Sequence, residues 1–464
     1  MSNVRDFGAM GDGQHDDTAA IRHALEMHDG VLHFPRGDYK ISETIVIDLK
    51  DLSRTTIHGT GGTAKILMHG PGPAFEFRAT HMTASAAPGG FRPEEWQHER
   101  MPTLRDIEIE GKHPEADGVR IIGVMQPTLT GVLIRRVRHG VHITQRARNV
   151  LISHCHIFHN TGIGVYLDKV NLHQTIITGS HISYNRLGGI RIENSEIRNL
   201  QITGNDIEYN NNRAIGVPNA DDVPTAEIYI DCGESGSVRE GTICSNTIQA
   251  TYSPNGANIR IIGQSTKEAQ KAGMWTISGN LIGSQATNVH FTSARGITLE
   301  GNYIYSGHHR NLLLEQCKSI LIGTNCFGHN PDYKEKELCT GIRMVDCTDC
   351  TLTGLQIQDA QAGEHTVKDA VPIQRDGLIE CLNCERLTIT GIQVLEGSPY
   401  ALTLKDCRDT LITGSSFFDT REKPLTKAAI HWTGSGDGNA IANCRSNRPF
   451  EIDAKVKLGE NFLS

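Results

Sequence analysis

Aromatic residues are scarce in this chain, at 5% of 464 residues with only three tryptophans. Trp96, Trp275 and Trp432 are too scattered to make a sugar-stacking platform. No apolar run reaches the roughly 20 residues that a membrane-spanning helix needs, so no membrane partner is expected. Charge is modest as well: 45 Lys and Arg against 53 Asp and Glu leave a net −8. That balance gives no nucleic-acid footprint, although local basic columns can still meet acidic ligands. The opening residues, Met1 to Val4, lack a charged segment followed by an apolar stretch, so no signal peptide is read there. Residence in the cytoplasm and export by another route both stay open.

Repetition is what the chain has in plenty. The phrase from Ile152 to Asn160 returns from Ile177 to Asn185 and again from Ile202 to Asn210, a step of 25 residues each time. A fixed step of this size marks a repeat architecture. Each copy holds short alternating runs that read as strands. One copy cannot bury its own apolar face, so copies must stack. The core of the phrase, an apolar residue with another five positions on, recurs at Leu129/Ile134, Ile243/Ile248, Ile277/Ile282, Leu299/Ile304, Ile322/Phe327, Leu352/Ile357, Ile389/Val394 and Ile412/Phe417. Aligning the copies exposes a column of Cys155, Ser180, Asn205, Asn246, Asn280, Asn302 and Asn325. Asparagine tolerates a left-handed bend, and stacked amides form a ladder. The 48 glycines suit a chain that turns several times per repeat. The expected fold is all-β, a single parallel β-helix of about a dozen coils, spanning 1–464.

Twelve cysteines include two zinc-like pairs, Cys347/Cys350 and Cys381/Cys384. Cys317, Cys347, Cys384 and Cys407 fall in one repeat column, where earlier copies place Ala147, Leu172, Ile197 and Val238. That company favours free thiols in the core over metal ligands.

The chain opens with a turn-rich segment and a helix over residues 16–28, capped by Asp17 or Thr18 and buried through Ile21, Ala24 and Leu25. A strand, a turn and a strand follow to Tyr39. Residues 4–40 are expected to cap one end of the solenoid and 443–464 the other, with coils over about 102–432. Between 71 and 101 the pattern lapses, which predicts an inserted loop that forms a lid or a subunit contact.

Asp6-Phe-Gly-Ala, Gly11-Asp-Gly, Asp16-Asp-Thr18 with Ile21, and Phe34-Pro with Tyr39 resemble the opening motif of the pectate-lyase-type right-handed β-helix superfamily. That group includes polysaccharide lyases, polygalacturonase-like hydrolases, fructan-cleaving transferases and phage tailspikes. The motif covers about 40 residues and is specific for the fold, not for an activity. The polygalacturonase signatures are not present as a set, and no full calcium-pectate-lyase site is matched. The resemblance implies a polysaccharide or oligosaccharide partner and an oligomer, commonly a homotrimer.

Between the anchor phrases lies a second strand whose middle residue points outward, because successive side chains alternate faces. In order these outward residues are Arg120, His142, Tyr166, Arg191, Gly216 or Tyr229, Arg260, His290, Leu313, Arg343, Thr403 and His431. Two residues on come Thr144, Asp168, Glu193, Asp231, Thr292 and Glu315. A row of Arg, His and Tyr thus runs beside a row of carboxylates. Salt-bridged surface residues would look similar, but titratable groups concentrated between 142 and 260 favour an enzyme over an adhesive, tailspike-like binder.

Two chemistries fit. In β-elimination on a uronate, Tyr166 or His142 would move the proton while Arg191 and Arg260 hold the carboxylate. In glycoside hydrolysis or transfer, Asp168 and Glu193, or Glu193 and Asp231, would flank the scissile bond. The catalytic candidates are therefore Tyr166, Arg191, Glu193, Asp231, His142 and Asp168, with Arg120, Tyr229, Arg260, His290 and Arg343 binding substrate. The recurring arginines tilt the expectation to a lyase, since guanidinium grips carboxylate bidentately. Asp168, Glu193 and Asp231, or Asp221, Asp222, Glu227, Glu234 and Glu240 in the 210–240 loop, could hold Ca²⁺ through oxygen. His154, His156 and His159 point to alternate sides and define no metal site.

Overall fold

A computed structural model of the chain describes residues 2–82, 92–213, 224–263, 272–330, 341–359 and 374–464. It is built almost wholly of parallel strands and divides into two compact units, 1–218 with 226–242 and 219–225 with 243–464. Each coil places one strand on each of three faces. In the first unit, a coil runs from the first face (Val141–Ser153) round a corner onto the second, and then to the third (His156–Phe158). The next coil repeats this with Ile163–Thr178 and His181–Ser183. The pairing is in register, with Ile152 beside Ile177 and Ile177 beside Ile202. Corner residues Gln145, Asn149 and His154 have positive φ, which lets one chain turn sharply between faces.

The inward column of the first unit, Ile121, Ile143, Leu167, Ile192 and Ile230, is fully buried. In the second unit the equivalent column is Ile261, Phe291, Leu314, Met344, Cys381, Leu404 and Trp432. Burying one such large side chain contributes roughly 1.5–3 kcal/mol, and stacking repeats that gain at every coil.

The stack holds more coils than the phrase count suggests. Among the described residues, third-face strands begin at Asp12–Asp16 and end at Phe462–Leu463, eight in the first unit and nine in the second. Both expected caps therefore contain coils, because strands with polar outer residues hid the repeat there. Gly72–Arg78, expected within an inserted loop, is a first-face strand pairing with Ile45–Asp48 and Ala116–Met125. The expected helix is present as Thr18–Glu26, with Thr18, Ile21, Ala24 and Leu25 buried. Asp17 stands at its N-cap without capping it. Its carboxylate instead accepts from the Met10 and Gly11 N–H groups at 2.6 and 3.1 Å.

The expected amide ladder is present in the second unit, where Asn246, Asn280 and Asn302 each donate Nδ2 to the next Oδ1 at 2.9 Å and Asn325 ends the row as the last acceptor. A further ladder lies in the first unit. Asn160 donates to Asn185 at 2.8 Å, Asn185 donates to Asn210 at 2.7 Å, and Asn210 donates to the carboxyl of Glu227. Room for it comes from glycine: a Cβ on Gly189 would lie 2.6 Å from the Glu227 carbonyl oxygen and 2.9 Å from Asn210 Nδ2. Cys317, Cys347, Cys350, Cys384 and Cys407 are buried free thiols. The Cys347 and Cys384 Sγ atoms donate to the carbonyls of Val345 and Leu382, two residues back.

Candidate functional site

The outward positions of the first face line up as one column in each unit. In the first unit, strand register sets Glu76, Arg120, His142, Tyr166, Arg191 and Tyr229 on successive coils. Beside it run Thr144, Asp168, Glu193 and Asp231. Tyr229, not Gly216, occupies the coil after Arg191; Gly216 lies outside the described residues.

The middle of this column is tightly connected. The His142 and Tyr166 rings stack at 5.1 Å with 15° between their planes. Tyr166 OH donates to Glu193 Oε2 at 3.0 Å, and Arg191 donates to Glu193 Oε1 at 2.7 Å. The Arg191 guanidinium lies 4.5 Å over the Tyr229 ring, whose OH is 3.4 Å from Asp231 Oδ2. Asp168 has no hydrogen bond or ion pair among the described residues, which leaves its carboxylate for solvent or ligand. Behind the column, His139 sits 5.2 Å from the Tyr166 ring and 6.1 Å from His142. Its Nδ1 accepts the Ile163 N–H at 3.3 Å, which puts the ring proton on Nε2. The buried Asp117 binds Arg138 through both oxygens and the His139 backbone N–H.

Electrostatics separates the roles. Burial pushes the His139 imidazole down to about 4, and burial also lowers His142, so both rings are neutral at pH 7. His142 is half-buried, with Nε2 shielded from solvent and without a partner. Burial, then the charges of Glu193 and Asp168, raise the Tyr166 phenol above its ordinary value, so it holds its proton. Burial disfavours the Arg191 cation, but the hydrogen bond and charge of Glu193 outweigh it and raise its pKa.

The arginines of the strip are less available than their outward placement suggests. Arg120 pairs with buried Glu76, and Arg343 donates to Glu380 Oε2 at 3.1 Å. Arg260 donates to the Asn255 carbonyl at 2.7 Å. Sequence reasoning missed Glu76, because it lies in the stretch expected as a loop. In the second unit the column runs Arg260, His290, Leu313, Arg343, Glu380, Thr403 and His431. Glu380 was passed over there because the repeat lengthens between Leu352 and Ile389. It is buried and also accepts from Arg310 at 2.8 Å. His290 Nε2 is 2.7 Å from Glu315 Oε2. His139 was legible only as a histidine next to a bend, and nothing in its spacing linked it to Tyr166.

Among the described residues no set of three or more His, Cys, Asp or Glu side chains converges on a metal position. Asp221 and Asp222 lie outside the described residues. Glu227 is not an available oxygen ligand: it is fully buried and ends the asparagine ladder. Glu234 and Glu240 are exposed.

Two family descriptions match the chain: "Rhamnogalacturonase A/epimerase, pectate lyase-like" over residues 1–85 and "Right handed beta helix region" over 96–233. The chain is a right-handed β-helix whose first 85 residues are similar to the pectate-lyase-like family. Mannuronan C5-epimerases AlgE3 and AlgE5 of Azotobacter vinelandii are 48% identical over 44 residues, 9% of this chain. That stretch is only 2% and 4% of the two epimerases. Among solved structures, the pre-mature bacteriophage phi29 gene product 12 superposes with a TM-score of 0.58 at 12% identity, over 99% of this chain and 73% of that one. The A-module of Azotobacter vinelandii mannuronan C-5 epimerase AlgE6 gives 0.42 at 12% identity, over 100% and 99%. The likeness to gene product 12 is one of fold alone.

Proposed function

We propose that the protein is a carbohydrate-active enzyme that cleaves a uronate-containing polysaccharide by β-elimination on the first face of its first unit. The observation that carries this reading is the neutral His142 imidazole stacked at 5.1 Å on a Tyr166 phenol that keeps its proton, with Arg191 on the next coil. A base and an acid on adjacent coils can span the C5–H and the glycosidic oxygen at C4 of one sugar ring. His142 takes the C5 proton, turning about its Cβ–Cγ bond to present nitrogen to the sugar. The C–H electron pair forms the C4–C5 double bond as the C4–O bond breaks, and Tyr166 protonates the leaving oxygen. Arg191 neutralises the sugar carboxylate, which makes C5–H more acidic. Glu193 orients both Tyr166 and Arg191. Tyr166 is thus the acid; as a base it would need a lowered pKa, opposite to its shift.

Hydrolysis or transfer by paired carboxylates is the second reading, and one observation favours it: Asp168, Glu193 and Asp231 stand on successive coils at a strand spacing of about 4.8 Å, close to the separation used in retaining mechanisms. Ca²⁺ held by Asp168 would serve the lyase by neutralising substrate. The 44-residue match to mannuronan epimerases supports a glycan substrate, and the resemblance of the opening motif to a superfamily that includes tailspikes makes glycan binding without turnover a third reading. Incubation with a panel of plant, algal and microbial polysaccharides separates the three. A lyase makes an unsaturated, ultraviolet-absorbing end without taking up solvent oxygen, and loses it in Tyr166→Phe. A hydrolase incorporates oxygen from labelled water and fails in Glu193→Gln or Asp231→Asn. Unsaturated product at full rate from Tyr166→Phe would overturn the assigned roles, and binding with no new chain ends would overturn the enzyme reading.

A further inference from the structure

Around the corner from the candidate site, the first unit carries a second column of a different kind. Strand register stacks Met125, Arg148 and His173 on successive coils, with Arg198 next to His173. Arg239 follows on the next strand, where the Ser237 carbonyl accepts from Arg198 at 2.9 Å. Like charges on neighbouring strands repel, and here four coils in a row present a cationic or protonatable group. The nearby carboxylates are fewer: Glu196 is 3.6 Å from Arg198, and Glu240 acts on His173 and Arg198. His173 Nδ1 and Arg239 Nε are shielded from solvent without a hydrogen-bond partner.

We propose that the Arg148, His173, Arg198 and Arg239 column is a binding stripe for an acidic polysaccharide, separate from the catalytic column. Arginines stand on three of these four coils, with His173 between Arg148 and Arg198 kept neutral at pH 7 by burial; the coil step of about 4.8 Å is comparable with one pyranose ring, so a chain bearing a carboxylate or sulfate on each sugar can meet these arginines in turn. The stripe tethers polymer beside the first face whether or not the proposed elimination takes place there.

Fluorescence anisotropy with labelled polygalacturonate and heparin fragments tests this. Both should bind, and affinity should fall steeply with salt as counterions are released. The double variant Arg198→Glu with Arg239→Glu should weaken binding about tenfold or more and flatten the salt slope by about two, while turnover of short oligosaccharides is unchanged. Glu196→Gln with Glu240→Gln should tighten binding, which keeps the test decisive should the first variant misfold. Tyr166→Phe should leave polymer binding intact, so failure of the catalytic reading is distinguishable from failure of this one. Equal binding by the arginine double variant, equal binding of neutral dextran, or tighter binding of single-stranded DNA than of either glycan would overturn the proposal.

Discussion

Replacing Asn185 by alanine should cost the first unit about 3–5 kcal/mol. Asn185 is fully buried and makes three side-chain hydrogen bonds: it accepts from Asn160 at 2.8 Å, and donates to Asn210 at 2.7 Å and to the Ile157 carbonyl at 3.0 Å. Each bond contributes about 0.5–1.5 kcal/mol net, and each buried partner left unsatisfied costs about 1–3 kcal/mol. Alanine strands the Asn160 amide and the Ile157 carbonyl, where no water reaches them. Aspartate is no remedy, because it puts a second acceptor against Asn210 Oδ1. Stacked repeats can open segment by segment, so urea unfolding should be read together with amide hydrogen exchange at Val137, Asn160 and Asn185. Ser183→Ala, on the outer side of the same coil, should stay within about 0.5 kcal/mol of wild type. A loss below about 1 kcal/mol for Asn185→Ala, with unchanged exchange at those amides, would refute the view that the ladder holds these coils together.

At the end of the same ladder, burial raises the Glu227 carboxyl well above its ordinary value. Its stabilising contribution is therefore complete below about pH 4.5 and is lost as pH rises through the folded pKa; melting temperatures from pH 4 to 9 should fall for wild type and flatten in Glu227→Gln, and parallel curves would count against it. Asp17→Ala should destabilise the N-terminal coils by about 2–4 kcal/mol, since it frees two N–H groups bound by a buried carboxylate; protease cleavage before Phe34 is the readout, and unchanged resistance would contradict it. We also expect a homotrimer with the 80–100 segment at the contact, where Trp96 is exposed; light scattering at micromolar concentration that gives a monomer, unchanged on deleting 83–91, would end that expectation.

The fold was legible because its period was. Side chains that face inward repeat at each coil, so Ile152, Ile177 and Ile202 announced their own register. The outward column followed by alternation, and Arg120 through Tyr229 stand where that rule puts them. Legibility failed where a coil departs from the phrase. Glu76 and Glu380 sit in strands whose neighbours carry unusual steps, and each is the buried carboxylate that occupies an arginine.

Those two carboxylates change what the arginine column means. On sequence alone, Arg120, Arg191, Arg260 and Arg343 looked like a row of hands held out to a uronate polymer. A guanidinium already matched to a buried carboxylate gains less from a second one, and removing it would strand a buried charge. Arg120 and Arg343 therefore act first as partners of Glu76 and Glu380, and their loss should appear as instability before it appears as weak binding. Arg191 differs: its partner Glu193 is only partly buried and also accepts from Tyr166. A sugar carboxylate can compete for Arg191 there, with Tyr166 and Tyr229 already in place on the coils to either side. The case for acid-sugar chemistry in the first unit thus rests on Arg191, one arginine between two tyrosines, while Arg260 in the second unit donates to the Asn255 carbonyl.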